Sequence, residues 1–300
     1  MLSQEYYELK EIVDNHILDF MPEIDTKTNT LFEAMKYSLL AGGKRIRPIL
    51  MLTFFKIASN NKMDISFAIP YAEAIEYIQT YSLIHDDLPA MDNDDYRRGK
   101  LTNHKVFGED IAILAGDGLL SAAYEIMLKD SLLYLTDSDL LKRKVKASFE
   151  LSKGTGVRGM IQGQVADVEN EAKSCTAELL EFIDANKTGA FIKSSILVGC
   201  YLGGATKELL EDATVYGESL GHAFQIVDDI MDVISTKEER GKNVGGDATN
   251  EKNTYPSIYG IEESKKQALK LLEKAENSVS KYNANQVALD IVAYLKEQII

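Results

Sequence analysis

The chain has 300 residues, and 47 acidic against 33 basic side chains leave a formal net charge of −14. Its 45% hydrophobic content is enough to bury a large core, which excludes bulk disorder. The acidity excludes non-specific nucleic-acid binding and an anionic membrane surface as main partner, since both need a positive field; taken alone it also counts against a phosphate-bearing substrate.

Apolar residues recur at helical spacing and predict helices over 4–20, 28–41, 46–59, 67–88, 110–130, 136–153, 175–202, 206–235, 261–282 and 286–299. Period-two alternation is nearly absent, so no sheet is expected. No Gly/Ser linker or fixed repeat divides the sequence, which predicts a single all-α domain over 1–300. Helices of about 20 to 30 residues span roughly 30–45 Å and suit a helical bundle around a central cavity. Met1 to Lys10 lacks the apolar centre of a signal peptide, and the longest apolar run, Ile111 to Leu128, is broken by Asp117 and Glu125. Cys175 and Cys200 fit neither a disulfide framework nor a zinc pattern and read as small buried hydrophobes. A cytoplasmic protein without stable membrane insertion is expected.

The unusual chemistry lies between the helices. Gly42-Gly43-Lys44-Arg45-Ile46-Arg47-Pro48 separates two of them, Asp92 to Lys100 is densely charged, and Lys237 to Asn253 is polar and Gly-rich. Two aspartate clusters stand out. The first is Asp86-Asp87-Leu88-Pro89-Ala90-Met91-Asp92, followed by Asp94, Asp95 and Arg97-Arg98-Gly99. The second is Asp228-Asp229-Ile230-Met231-Asp232, in which Asp228 and Asp232 share a helical face. Asp86 and Asp92 are six apart, off any regular helical face, but Pro89 is placed to end the helix and turn Asp92 back. Carboxylates so grouped repel unless cations are present, and Mg²⁺ takes such hard oxygen ligands while keeping water and phosphate oxygens. A diphosphate held by Mg²⁺ between the clusters follows, with Lys44, Arg47, Arg97, Arg98, Lys187, Lys242 and Lys252 as candidate counter-charges.

These landmarks, in this order, resemble the trans-prenyl diphosphate synthase family. The matching segments are Gly42 to Pro48, Ser82 to Asp92 with Arg97-Arg98-Gly99, Gly159-Met160-Ile161-Gln162-Gly163-Gln164 through Asp167, Lys187-Thr188-Gly189, Phe224 to Asp232, Gly241 to Asp247, and Lys252 to Pro256. The resemblance implies an all-α enzyme, acting as a homodimer, that elongates allylic diphosphates with isopentenyl diphosphate. It implies two or three Mg²⁺ ions on Asp86, Asp92 and Asp228, with Asp87 and Asp232 as ligands or orienters of bound water. Arg97, Lys187 and Lys242 would neutralise the allylic diphosphate. Thr188, Gln225 and a backbone carbonyl freed near Gly189 would face the allylic cation. Lys44, Arg47 and Arg98 would hold isopentenyl diphosphate.

Gln79 stands where many relatives place a histidine for isopentenyl diphosphate; its amide still offers donors. The end of the chain, Lys296 to Ile300, lacks the basic tail of some relatives. Tyr81, beside Ser82 and five residues before Asp86, is placed to narrow the floor of the cavity. That pattern resembles bacterial farnesyl diphosphate synthases and implies a C15 product, with a C20 geranylgeranyl synthase as the alternative. A class I terpene cyclase would pair its first aspartate motif with an Asn/Ser/Glu-type second site, unlike Asp228 to Asp232. A non-catalytic regulatory subunit would have lost aspartates or arginines that are intact here.

Overall fold

A computed structural model of the chain describes residues 2–22, 27, 29–170, 176–234 and 254–300. Lys242, Lys252 and Cys175 lie outside the described residues. The helices are α1 (Gln4–His16), α2 (Asn29–Leu39), α3 (Ile46–Ser59), α4 (Ile69–Asp86), α5 (Asn103–Phe107), α6 (Glu109–Leu132), α7 (Ser138–Thr155), α8 (Met160–Asn170), α9 (Ala177–Asp184), α10 (Ala190–Gly203), α11 (Lys207–Ile234), α12 (Tyr255–Tyr259), α13 (Ile261–Val279) and α14 (Gln286–Ile299).

The all-α architecture is the one that the apolar periodicity predicts. Helix α3 is buried on nearly every side from Pro48 to Phe55, which makes it the central element. It packs between α4 and α10; α4 backs onto α6, α10 onto α7 and α11, and α11 onto α13. Glycine allows the closest of these approaches. A Cβ on Gly199 of α10 would sit 2.9 Å from Phe55 N and closer still to Met51 O. One continuous apolar core runs from Tyr6 to Ile299. It contains a fully buried lysine, Lys144, whose ammonium lies 3.6 Å from the Phe67 ring centroid and donates at 2.7 Å to Phe67 O. Asp130 completes the box at 2.7 Å.

Three local features depart from the sequence expectation. The helix expected over 175–202 is α9, then a π-helical turn at Ala185–Gly189, then α10. The Gly159 to Asp167 segment, where no helix is expected, forms most of α8 despite Gly163. A two-stranded antiparallel ribbon pairs Tyr96 with Leu101 and Arg97 with Lys100, closed by Arg98 and Gly99 at φ 54° and 76°. Both central residues at positive φ are what a tight primed hairpin turn requires; two-residue strands are too short for a periodicity test to detect. Helix α6 is long and apolar enough, by length and composition, to cross a bilayer. Its Ala112, Ala115, Leu119, Ala122 and Ala123 are instead packed into the core, leaving Ile113, Leu114, Leu128 and Leu132 exposed.

Candidate active site

The first basic motif is a glycine turn leading into α3. Gly42, Gly43 and Arg45 all have positive φ. Arg45, only 4% exposed, is fully committed inward: Nε bonds Asp14 at 2.9 Å, Nη1 bonds Glu76 at 2.5 Å and Nη2 donates to Leu39 O at 2.7 Å. With Arg45 pinned, its neighbours in the motif are aimed elsewhere. Exposed Lys44 donates to Tyr294 Oη of α14 at 2.8 Å, and Tyr6 donates to Lys44 O. The Arg47 guanidinium lies 5.0 Å from the Phe191 ring centroid, and its Nε is buried without a hydrogen-bond partner. Burial pulls its pKa down to about 10, with Glu76 opposing the shift. An orphaned, desolvated guanidinium N–H is unfavourable until an anion meets it. Arg98 joins the group from the ribbon. It donates to Gly42 O, approaches Glu76 at 3.7 Å, and lies so close over Gly43 that a Cβ there would be 2.7 Å from its Cζ.

The first aspartate cluster closes at the end of α4. Asp92 N donates to Asp86 O at 2.8 Å and Asn93 N to Leu88 O at 3.1 Å, so the Pro89 turn brings Asp92 back to Asp86 as the spacing predicts. Asp87 turns inward: it is 3% exposed and accepts from Arg97 Nε at 2.6 Å, while Arg97 Nη2 reaches Asp94 at 3.2 Å. Burial pushes the Asp87 carboxyl up to about 7, with Arg97 opposing. Below them, Tyr81 is buried and meets the His85 ring edge-on at 5.7 Å. Burial raises its phenol to about 12, and the fields of Tyr124 and Asp86 add to that. Ser82 Oγ donates to Gln79 O at 3.0 Å, and half-buried Gln79 lies one turn beyond Glu76 on the same face of α4.

The second cluster is wired to the π-turn. Thr188 Oγ1 donates to Gln225 Oε1 at 3.1 Å. Gln225 Nε2 donates to Asp229 Oδ1 at 2.9 Å, and Tyr255 N donates to Asp229 Oδ2 at 3.0 Å. Asp229 therefore orients the Gln225 amide so that its oxygen faces Thr188. Lys187 is ion-paired with Asp167 of α8 at 2.6 Å. Two glycines permit this crowding. A Cβ on Gly163 would lie 2.6 Å from Lys187 Cα, and one on Gly221 would lie 2.7 Å from Gly189 Cα. A further carboxyl, Asp184, is buried at the start of the turn with one oxygen unpartnered; burial, then Asp229 and Asp167, push it up to about 9. Asp228 is exposed, whereas Asp232, one turn on, is buried.

These pieces form one path. Arg98 approaches Glu76 at 3.7 Å and Arg47 lies within the field of that carboxylate, Arg47 lies over Phe191, Phe191 follows Gly189 by two residues, and Gly189 packs on Gly221, one turn before Gln225. Asp86, Asp87, Asp92, Asp228 and Asp232 offer only hard oxygen donors. Among the described residues no three acidic, His or Cys side chains converge closely enough to hold a cation unaided. That donor set fits Mg²⁺, which binds through one or two carboxylates and completes its shell with water and substrate phosphate. Sequence reasoning missed Glu76, Asp14 and Tyr294, and named Asp229 and Tyr255 only as members of their segments, without a role. The only signal for Glu76 was its i, i+3 spacing to Gln79.

The polyprenyl synthetase family model matches residues 28–291. A geranylgeranyl diphosphate synthase of Cyanophora paradoxa is 42% identical over 96% of this chain and 93% of its own length. A farnesyl diphosphate synthase of Geobacillus stearothermophilus is 40% identical over 96% of this chain and 94% of its own. The crystal structure of a Helicobacter pylori geranyltransferase, complexed with magnesium and isoprenyl diphosphate, superposes with a TM-score of 0.83 at 29% identity, covering 98% of both chains.

Proposed function

The chain belongs to the polyprenyl synthetase family, and from that premise we propose that it condenses isopentenyl diphosphate with dimethylallyl and then geranyl diphosphate to release (2E,6E)-farnesyl diphosphate. The observation that carries a two-diphosphate reading is Arg47, a half-buried arginine whose buried Nε–H is unpartnered, on the path from Arg98 to Gln225. Lys44, Arg47 and Arg98, with Gln79, hold isopentenyl diphosphate. Arg97 and Lys187 face the allylic diphosphate, joined in this reading by Lys242 and Lys252.

Asp86, Asp92, Asp228 and Asp232 would hold Mg²⁺, which would supply Lewis-acid stabilisation of the departing diphosphate. Asp87 holds Arg97 beside that charge. The allylic C–O bond breaks and its electron pair leaves with the diphosphate. Gln225 Oε1 and Thr188 Oγ1 present lone pairs to the allylic cation, preorganised by Asp229. The double bond of isopentenyl diphosphate attacks that cation to form the new C–C bond, and the departing diphosphate takes the proton released. The apolar core excludes water from the cation.

Tyr81 supports the C15 product: a buried aromatic just over a turn below Asp86 leaves little depth for a longer chain. The specific alternative is geranylgeranyl diphosphate, the product in the name of the Cyanophora paradoxa relative. Incubating purified protein with Mg²⁺, dimethylallyl and isopentenyl diphosphates decides the matter. A dominant C15 chain is expected, lengthened in Tyr81→Ala. A dominant C20 chain from the unaltered protein overturns the farnesyl reading, and failure to consume isopentenyl diphosphate overturns the synthase reading. The exposed Ile113, Leu114, Leu128 and Leu132 of α6 support a homodimer; light scattering is expected to give twice the chain mass.

A further inference from the structure

Glu76 has no place in the reaction as described so far, yet two arginines contact it and a third lies within its field. It sits on α4 at 2% exposure, where an unpaired carboxylate would be prohibitively desolvated. Arg45 bonds it at 2.5 Å and Arg98 approaches it at 3.7 Å, while Arg47 feels its field. Resting on the reading that Lys44, Arg47 and Arg98 hold isopentenyl diphosphate, we propose that Glu76 is the positioning residue of that site, fixing the arginine cluster in the geometry that accepts the homoallylic diphosphate.

The three arginines stand differently to Glu76. Arg45 is saturated by Asp14, Glu76 and Leu39 O, so it serves as the brace that holds the glycine turn and the start of α3 against α4. For Arg98, 3.7 Å is an ion contact too long for a hydrogen bond. Glu76 thus steers that guanidinium without consuming an N–H, and its other anchor is the carbonyl of Gly42. Arg47 points over Phe191 and keeps a buried N–H unpaired. Arg45 takes the direct ion pairs to Asp14 and Glu76, Arg98 has only the longer approach to Glu76, and Arg47 makes no ion pair to a carboxylate among the described residues, so positive charge is left toward the ligand. A single carboxylate limits the mutual repulsion of the arginines, and the excess charge remains for the ligand. Gln79, one turn along the same face, brings an amide to the same edge of α4.

The test is a kinetic split with a conservative pair of variants. Glu76→Gln keeps the size and removes the charge; Glu76→Asp keeps the charge on a shorter arm. With wild-type activity in hand, Glu76→Gln is expected to raise KM for isopentenyl diphosphate about 10- to 100-fold. KM for geranyl diphosphate and the product length stay unchanged, and kcat at saturating isopentenyl diphosphate falls less than about 3-fold. Glu76→Asp recovers part of the loss. Calorimetry of isopentenyl diphosphate in EDTA reads the basic site alone and is expected to show the same weakening. Unchanged KM for isopentenyl diphosphate in Glu76→Gln, or equal rises for both substrates, overturns the proposal. If Glu76→Gln does not fold, Glu76→Asp carries the same split and the same refutation. A wild-type chain that consumes no isopentenyl diphosphate instead defeats the synthase reading, and the calorimetric comparison still judges Glu76.

Discussion

Adding a methyl group at Gly163 tests whether the π-turn is held in place by α8. A Cβ there falls 2.6 Å from Lys187 Cα and 2.7 Å from Asn186 C, and nearer still to Lys187 N. All three atoms are main chain, so no rotamer change relieves the clash. Close-packed contacts must open by roughly 1 Å. Overpacking of this kind costs about 1–3 kcal/mol and lowers Tm by a few degrees. The displacement falls on the turn that carries Lys187 and Thr188. A misplacement of about 1 Å in positioning groups can cost about 100-fold in rate. Gly163→Ala is therefore expected to lose far more kcat than its stability loss explains. Gly199→Ala is the matched control: its Cβ meets the main chain of Met51 and Phe55 as closely, but in the α3–α10 contact, ten residues beyond Gly189. Measuring Tm by calorimetry and kcat below the transition separates the two effects. Equal kcat losses in both variants, or a Gly163→Ala enzyme of normal kcat, would refute the argument that the approach of α8 sets the turn.

Lys144→Met leaves Asp130 buried without its partner and is expected to destabilise the protein by about 3–5 kcal/mol in urea unfolding, with Lys144→Met/Asp130→Leu recovering part of it. Glu73, buried while accepting from Phe20 N at 3.1 Å and Tyr77 Oη at 2.6 Å, is pushed up to about 7 from an ordinary 4.5 by burial. The folded state then holds the proton more tightly than the unfolded chain, so stability falls as pH rises from about 4.5 through about 7, by at most about 3 kcal/mol. Urea unfolding of Glu73→Gln across that window is expected to be flatter by that amount, and parallel curves would dismiss the assignment. Binding of an allylic diphosphate is expected to collapse in EDTA, because without cations Asp86, Asp92 and Asp228 repel it; calorimetry with geranyl diphosphate checks this.

The helices and the order of the motifs were legible because each rests on local chemistry: apolar residues at helical period, glycines at positive φ, a proline that ends α4. Asp92 returning to Asp86 needed only Pro89 and a spacing of six. What stayed hidden depends on contacts between distant elements. Glu76 reads as one more polar residue in a helical pattern until Arg45 and Arg98 are folded onto it. Asp167 closes a motif, and only the packing of α8 on the π-turn makes it the partner of Lys187. The π-turn itself was legible in part. Gly189 suggested a freed carbonyl, but a five-residue turn of wider pitch embedded between two regular helices leaves no apolar signature of its own.

The paired aspartates show why identical residue types side by side carry different duties. Successive positions on a helix point about 100° apart, so a doublet at the edge of a packed helix has one member facing the site and the other facing a neighbour. Asp87 and Asp229, the second of each doublet, are 3% and 4% exposed. Asp87 takes Arg97 and Asp229 takes Gln225 and Tyr255 N, so each fixes a group to which the proposed reaction assigns a role. Asp86 and Asp228, the first of each doublet, keep more of their surface open and can meet a cation. The negative charge that seemed to oppose a diphosphate thus divides into two parts: carboxylates that attract cations, and buried carboxylates that orient the arginines and the amide. On this account the doublets fail differently. Asp86→Asn or Asp228→Asn should raise the Mg²⁺ concentration needed for half-maximal rate. Asp229→Asn should lower kcat at unchanged Mg²⁺ demand, because it disturbs the Gln225 amide instead of the ion. A Mg²⁺ titration of the three variants tells them apart, and a shift of equal size in Asp229→Asn would return that residue to the set of ligands.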